Sequence, residues 1–301
     1  MGKGMEREKF VYQIGQNALR AILYEVAVTP KPGLVDRNNS GAHNDMDFYT
    51  FIDSASALHG VFDRFTQIGE ETSTSTYRRA RTALQTYGLE AERKMFALTG
   101  GVNTHKGIIF SLGFLCGAIG RIGSSGKLTP ERITAEVKKL CSGLCQEAYG
   151  EKLEHKKDLT KGEKVYLRYG FKGARAEAEQ GFPTVLTVAL PEFIRRLDEG
   201  IDMNRASVYT LLKLIGHAAD INVLSRHDMD TAMMTKKEAR ETVRKLAGLD
   251  GDDMSAVDAL DESFIEKNIS PGGCADLLAV TIFLYFICYE AGIDYNAFQI
   301  Y

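Results

Sequence analysis

Apolar residues in this chain return at three- and four-residue steps from end to end and almost nowhere alternate with polar ones. Phe10 to Val28 sets the pattern, with Ile14, Ala18, Ala21 and Ile22 on one helical face. The same period predicts helices over Phe48–Phe65, Tyr77–Leu98, Thr104–Ile119, Pro130–Glu147, Pro183–Leu197, Arg205–Ala219, Thr235–Leu246 and Met254–Ile265. A last helix is expected to start at Ser270-Pro271 and end near Gly292. Thr129 and Pro130 form a helix-start signal, a capping hydroxyl followed by a ring already set for the first helical position. KVYLRYG, Lys164 to Gly170, is the best strand candidate, and it has no second strand to pair with. The expectation is an all-α protein, one globular multi-helix domain over residues 1–301.

Composition limits the function classes. At 301 residues and 44% hydrophobic, the chain can bury one large core. A net charge of −3 provides no global field to gather nucleic acid. The most apolar run, Leu277 to Tyr289, has 13 uncharged residues, which suits a buried helix better than a bilayer span. The N-terminus MGKGMEREKF lacks the apolar stretch of a secretory signal, and Glu6 stands where a myristoylation signal needs Ser or Thr. Five Cys with no C-x-x-C pair fit a reducing compartment, so a cytoplasmic location without membrane attachment is expected.

Chemistry-bearing residues gather in five polar blocks. TPKPGLVDRNNSGAHNDMD, Thr29 to Asp47, holds Lys31, Asp36, Arg37, His43 and Asp45 in a loop too long to be a mere connection. GGVNTHKG, Gly100 to Gly107, sets Asn103, Thr104, His105 and Lys106 at the mouth of an apolar helix. Thr104 can cap that helix, and Lys106 opposes its dipole unless an anion sits there. GFKGARAEAEQGFP, Gly170 to Pro183, carries Arg175, Glu177 and Glu179 between glycines, with Glu177 a ligand, a base or a solvated charge. GHAADINVLSRHD, Gly216 to Asp228, places Asp220 and Asn222 at what reads as a helix C-terminus, where a cation would offset the dipole, with Arg226 following. NISPGGCADLLA, Asn268 to Ala279, offers Ser270 as a cap and Asp276 inside an otherwise apolar helix, where a carboxylate needs a partner, structural or metal. DGDD, Asp250 to Asp253, reads as a helix start. No P-loop, G-x-G-x-x-G, H-E-x-x-H or nucleophile elbow is present. Basic groups, carboxylates and amides on a helical scaffold suit a phosphorylated ligand held by Lys, Arg and Mg²⁺.

The blocks carry a resemblance. TPKPGLVDRNNSGAHNDM, GVNTHKGIIFSLG, GARAEAEQGFP, DINVLSR and NISPGGCADLLAVTIFL resemble, in order, the triphosphoribosyl-dephospho-coenzyme A synthase family and its malonate decarboxylase counterpart, over about residues 25–285. The resemblance implies an all-helical enzyme. Its implied substrates are ATP and 3′-dephospho-CoA, its products 2′-(5″-triphosphoribosyl)-3′-dephospho-CoA and adenine. That product is the prosthetic-group precursor for the acyl carrier protein of citrate lyase or malonate decarboxylase. The sequence departs from the family at Ala176, usually Gly, and at Ile221, His227 and Asp228 in a block that usually reads D-T-N-V-x-x-R-G-G.

Displacing adenine from ribose C1 passes through an oxocarbenium-like transition state and sets three tasks. For the triphosphate clamp the expected residues are Lys31, Arg37, Lys106, Arg175 and Arg226, with Asn222 and Asn268. For Mg²⁺ they are Asp36, Asp45, Asp220 and Asp276. Glu177 is the expected general base for the 2′-hydroxyl, His43 or His105 the proton donor to adenine, and Asn103 faces the same ligand. Two other readings remain: a metal-dependent helical phosphohydrolase of the HD type, on His227-Asp228, and a non-catalytic CoA- or nucleotide-binding protein.

Overall fold

A computed structural model describes residues 3–150, 153, 156–246 and 253–290. Every regular element among them is helical. In chain order these are α1 (Lys3–Ala27), α2 (Phe48–Ala57), α3 (Val61–Glu71), α4 (Tyr77–Leu98), α5 (Lys106–Ile122), α6 (Pro130–Leu140), α7 (Leu144–Tyr149), α8 (Lys161–Tyr169) and α9 (Gly173–Gln180). A π-helical turn, Val185–Ala189, then leads into α10 (Leu190–Asp198), followed by α11 (Met203–His217), α12 (Ile221–Arg226), α13 (Met229–Leu246), α14 (Ser255–Glu266) and α15 (Gly272–Cys288).

The all-α expectation holds, and the differences lie at helix starts and breaks. KVYLRYG is helix, not strand. Thr160 and Glu163 form a capping box that starts α8, and Gly170 in the left-handed region ends it. The run Phe48–Phe65 breaks into α2 and α3 at Gly60 (φ 70°). Pro130–Glu147 breaks into α6 and α7 at Gly143 (φ 86°), while Thr129 and Pro130 begin α6 as expected. The described part of the last helix ends at Cys288, and Gly292 and Asp250–Asp252 lie outside the described residues.

The core is built around two helices buried on nearly all sides. In α5 every residue from Ile108 to Gly120 is buried except Phe110. In α15 every residue from Cys274 to Leu284 is buried except Asp276. The backbones of α3 and α5 meet directly: a Cβ on Gly120 would stand 2.0 Å from the Thr66 carbonyl oxygen. One apolar cluster runs from Ile14 on α1 to Phe286 on α15, and a smaller one joins Cys145, Tyr149 and Leu153. All five cysteines are free thiols. Among the described residues no helix is long and apolar enough to cross a membrane.

The first polar block is a folded loop. Asp36 is buried and organises it, its carboxylate accepting from the backbone N–H groups of Lys31 (2.9 Å), Asn38 (2.7 Å) and Asn39 (3.1 Å). Asp261 of α14 then accepts from the Gly33 N–H and the Asn39 amide, both at 2.8 Å. Asn204 of α11 exchanges hydrogen bonds with both backbone groups of Thr29.

Candidate active site

The polar blocks converge on a cavity of about 1010 Å³, at the top of the usual range for small-molecule sites. Its floor comes from the buried helices. Glu25 near the end of α1 and Lys31 in the first loop form an ion pair at 2.6 Å, each 2% exposed, and Lys31 also donates to the Glu25 backbone carbonyl at 2.9 Å. Beside them is Asp276, whose carboxylate has no hydrogen-bond partner among the described residues and lines the cavity. Gly107 is what lets it in, since a Cβ there would stand 1.9 Å from Asp276 Oδ2. Burial, then the nearby charges of Glu25 and Asp220, push the Asp276 carboxyl well above the ordinary carboxylate range.

Asp220 has a different local role from the one read in the sequence. It begins α12 rather than ending α11, accepting from the N–H groups of Asn222 (2.7 Å) and Val223 (3.3 Å). Its second oxygen accepts from the Cys274 N–H at 2.9 Å, tying the start of α12 to the start of α15. A carboxylate at a helix N-terminus is on the favourable end of the dipole, so no cation is needed to explain it. The block at α15 differs too: the helix cap is Pro271, and the Ser270 hydroxyl pairs with His43 Nε2 at 2.8 Å.

His43 sits at the mouth with Arg226, whose Nη2 is 3.5 Å from Nδ1, and Asp45, whose Oδ1 is 3.6 Å from Nδ1. Burial and then the Arg226 charge lower its pKa, so the imidazole is neutral at pH 7. Arg226 is braced from behind by the Ala42 carbonyl and the Asn268 side chain. On another wall Glu177 of α9 accepts from the Thr184 hydroxyl at 2.5 Å. Arg175 donates to the Tyr149 hydroxyl (3.3 Å) with its guanidinium over that ring, and Tyr149 stacks on Tyr166 with centroids 4.4 Å apart.

Of the residues expected from the sequence, Glu177, His43, Asn103, Lys31, Lys106, Arg175, Asn222, Arg226, Asp45, Asp220 and Asp276 line this cavity. His105, Arg37, Asn268 and Asp36 do not. His105 is fully buried, with Ser54 on Nδ1 at 2.7 Å and the edge of Phe51 against its ring, and burial drives its pKa down to about 3. It cannot donate a proton to adenine at neutral pH. Nor does Thr104 cap α5, because its hydroxyl donates to Ser54. Arg37 points to Thr29, and Asp36 is committed to the backbone of its loop. Two further clamp residues have local partners: Lys31 has Glu25, and Lys106 has Glu92 at 2.8 Å. Lys106 in the first turn of α5 is therefore balanced without a bound anion.

Sequence reasoning missed Lys161 and Lys172, which line the cavity with Arg175 and Arg226. Among the described residues none of these four cations has a carboxylate partner. Lys161 begins α8 and Lys172 is the cap residue just before α9, so a capping signal at Thr160 and a glycine after Lys172 were the available clues. The departures from the family fall in two places. Ile221 packs on Gly173, where a Cβ would meet its Cγ1 at 2.6 Å, and Ala176 also lines the cavity. His227 and Asp228 do not: His227 bonds the Asn268 carbonyl at 2.8 Å, and Asp228 caps the start of α13 through Thr231. His227 and Asp228, on which the HD reading rests, are engaged by the Asn268 carbonyl and by Thr231 and do not line the cavity.

Comparison with known proteins identifies a family. A family model described as CitG, ATP:dephospho-CoA triphosphoribosyl transferase, matches residues 11–293. Probable 2-(5″-triphosphoribosyl)-3′-dephosphocoenzyme-A synthases of two Vibrio cholerae serotype O1 strains, M66-2 and El Tor Inaba N16961, are each 39% identical over 276 residues, covering 90% of this chain and 87% of theirs. The Klebsiella pneumoniae 2-(5″-triphosphoribosyl)-3′-dephosphocoenzyme-A synthase is 40% identical over 270 residues, covering 88% of this chain and 87% of its own. No solved structure matches the chain. An all-helical transferase with a cavity of about 1010 Å³ is the class these findings define. The chain belongs to the ATP:dephospho-CoA triphosphoribosyl transferase family.

Proposed function

We propose that this chain joins ATP and 3′-dephospho-CoA in the one cavity. The C1–N bond of the ATP ribose breaks, a bond from C1 to the dephospho-CoA 2′-oxygen forms, and adenine leaves. The observation that carries this reading is a single cavity whose walls hold four cations without carboxylate partners while its floor holds a carboxylate with no hydrogen bond. A half-buried carboxylate without a hydrogen bond costs stability, so a protein that only needed to fold would have no use for it. Together the cations and the carboxylate suit a polyanion that arrives with a divalent cation.

The residues divide the work. Lys161, Lys172, Arg175 and Arg226 bind phosphate oxygens through charge-assisted hydrogen bonds. Glu177, held in one orientation by Thr184, takes the proton of the 2′-hydroxyl, which in the net reaction is the proton that adenine gains. His43, neutral at pH 7, serves as a hydrogen-bonding group at the mouth rather than a charged acid. Of the four acidic residues expected to hold Mg²⁺, Asp276 fits best because its carboxylate is unpartnered and faces the cavity. Asp220 beside it has lone pairs left after its three backbone bonds. Asp45 is 64% exposed on the rim, and Asp36 has no reach. When bound, Mg²⁺ supplies charge neutralisation to the triphosphate.

The product would be the prosthetic-group precursor for the acyl carrier protein of a citrate lyase or malonate decarboxylase, made in the cytosol, where five free thiols stay reduced. The test is direct: incubate the protein with ATP, Mg²⁺ and dephospho-CoA and analyse the mixture by mass spectrometry. Adenine and a conjugate heavier than dephospho-CoA by a triphosphoribosyl unit should appear together. ADP and phosphate as the only nucleotide products would overturn the reading, and full turnover in metal-free buffer would remove the acidic residues from it.

A further inference from the structure

The four cations without carboxylate partners fall into two groups by the side chains they adjoin. Arg226 at the end of α12 has Nη2 3.5 Å from His43 Nδ1, and Lys161 opens α8. Helices α8 and α12 pack on one another, so this group belongs to one wall. Lys172 and Arg175, flanking the start of α9, form the second group, joined through Tyr149 of α7. Arg175 reaches Tyr149 at the end of α7, and the Tyr149 hydroxyl donates to the Lys172 carbonyl at 3.1 Å.

What adjoins the groups differs. Around the first are hydrogen-bonding side chains, His43, Ser270 and Asn222. The second shares α7 with Leu144, one of an apolar set in the cavity lining, the trough, that also includes Phe110 and Phe114 of α5 and Leu84 and Leu89 of α4. The two substrates differ in the same way. Both carry a polyphosphate, and the product keeps both polyphosphates in one molecule, so two anion seats must be filled at once. Only dephospho-CoA has a long, weakly polar arm attached to its phosphates. ATP ends at its γ-phosphate.

We infer that Lys172, Arg175 and Tyr149 form the seat for the pyrophosphate of the CoA-type acceptor, with its pantetheine arm in the Leu144–Phe114 trough, and that Lys161, Arg226 and His43 form the separate seat for the triphosphate of ATP. The assignment rests on the proposed reaction and makes each cation pair specific for one substrate. It also accounts for Ile221 on Gly173, which places a departure from the family at the junction between the two walls.

The experiment compares two double variants, Lys172→Ala with Arg175→Ala and Lys161→Ala with Arg226→Ala. Each is checked by a thermal melt and read by the KM for each substrate at saturating levels of the other. Losing charge-assisted hydrogen bonds should raise the relevant KM about ten- to a hundred-fold. The first variant should raise the KM for dephospho-CoA in that range and the KM for ATP less than about threefold, and the second should do the reverse. The swapped pattern, or equal rises in both KM values for both variants, would overturn the assignment. Should either double variant melt early, the conservative Arg175→Lys and Arg226→Lys carry the same comparison. Calorimetric titration with dephospho-CoA, ADP and ATP, each alone, separates this inference from the reaction it rests on. If wild-type protein releases no adenine, the reaction fails, yet the seats are still read by which variant loses which ligand. ADP shares the pyrophosphate but lacks the arm, so in the Lys161→Ala/Arg226→Ala variant, whose ATP seat is removed, it should bind at least about tenfold more weakly than dephospho-CoA. Equal affinity would remove the trough from the proposal.

Discussion

The floor and the walls of the cavity are built in opposite ways. Floor residues sit on long helices that run into the core: buried Glu25 on α1, and Asp276 as the one half-buried residue of α15 between Cys274 and Leu284. Wall cations sit at the ends of short helices, α8, α9 and α12, and Lys161, Lys172 and Arg226 are exposed. A charge on the floor is held by the fold and can harm it. A charge on the wall is free to meet a ligand and contributes little to folding. The two regions therefore differ in what a substitution should cost and in which measurement should show it.

The largest expected effect tests the floor as structure. Lys31→Ala strands Glu25 as a buried, unpaired carboxylate, and breaking such a pair costs about 3–5 kcal/mol. Arg175→Ala on the wall should change stability by only about 0.5 kcal/mol. Urea denaturation of the two variants beside the wild type measures both. Equal losses would erase the distinction between floor and wall.

Next comes a floor residue held against stability. Asp276→Asn should lower kcat about a hundredfold or more, the scale of losing one pre-placed electrostatic group, while the melting temperature stays level or rises. The direction follows from the raised carboxyl pKa. In the folded chain the group holds its proton to higher pH than in the unfolded chain. Stability is thus greatest below the unfolded value near 4 and falls as pH rises toward the folded one. The amide is neutral throughout and escapes that loss, so its advantage should grow as the pH rises above 4. A variant that loses activity and stability together would make Asp276 a structural residue.

Helix type and the convergence of the five blocks were legible because periodicity and residue chemistry are local. What was not legible was orientation. Asp220 reads as the end of one helix or the start of the next, and only the bend at Ala218 and Ala219 decides it. Lys31 and Lys106 look like clamp residues until Glu25, six residues before one, and Glu92, on a different helix from the other, are seen to meet them. Lys161 and Lys172 gave the converse error. They lie among other lysines in loop-like sequence, and nothing local says that α8 and α9 turn them toward one cavity. KVYLRYG misled for a related reason: its alternation is real, but the capping box at Thr160 and Glu163 precedes it and sets a helix.

A pH experiment gives the third effect. Since burial lowers the His105 pKa to about 3, the unfolded chain takes up a proton near pH 6.5 that the folded chain refuses. Its stabilising contribution is complete above pH 6.5 and is lost as the pH falls toward 3. Between pH 7 and pH 5 that amounts to about 2 kcal/mol. His105→Asn, which keeps a group able to bond Ser54, should remove this part of the acid sensitivity. The readout is the difference in unfolding free energy between pH 7 and pH 5 for both proteins. An unchanged difference would mean that His105 takes up its proton without unfolding.

The smallest expected effect concerns Lys106, where the sequence most strongly suggested an anion. A lysine in the first turn of α5 opposes the helix dipole, and a bound phosphate would explain it. The structure gives it Glu92 at 2.8 Å instead, with the lysine side chain 52% exposed. An exposed pair of this kind is worth under about 1 kcal/mol, and removing a cation from a helix N-terminus returns part of that. Lys106→Ala should therefore change stability by less than about 0.5 kcal/mol. A lysine that binds Glu92 and no phosphate adds little to ATP recognition. Its removal should lower kcat/KM for ATP less than about threefold, against the ten- to hundred-fold expected of a clamp residue. Measuring kcat/KM for ATP beside a melt of the same preparation decides between them. A tenfold loss in kcat/KM at an unchanged melt would show that Glu92 only holds Lys106 until the triphosphate arrives, and would add α5 to the anion-binding walls.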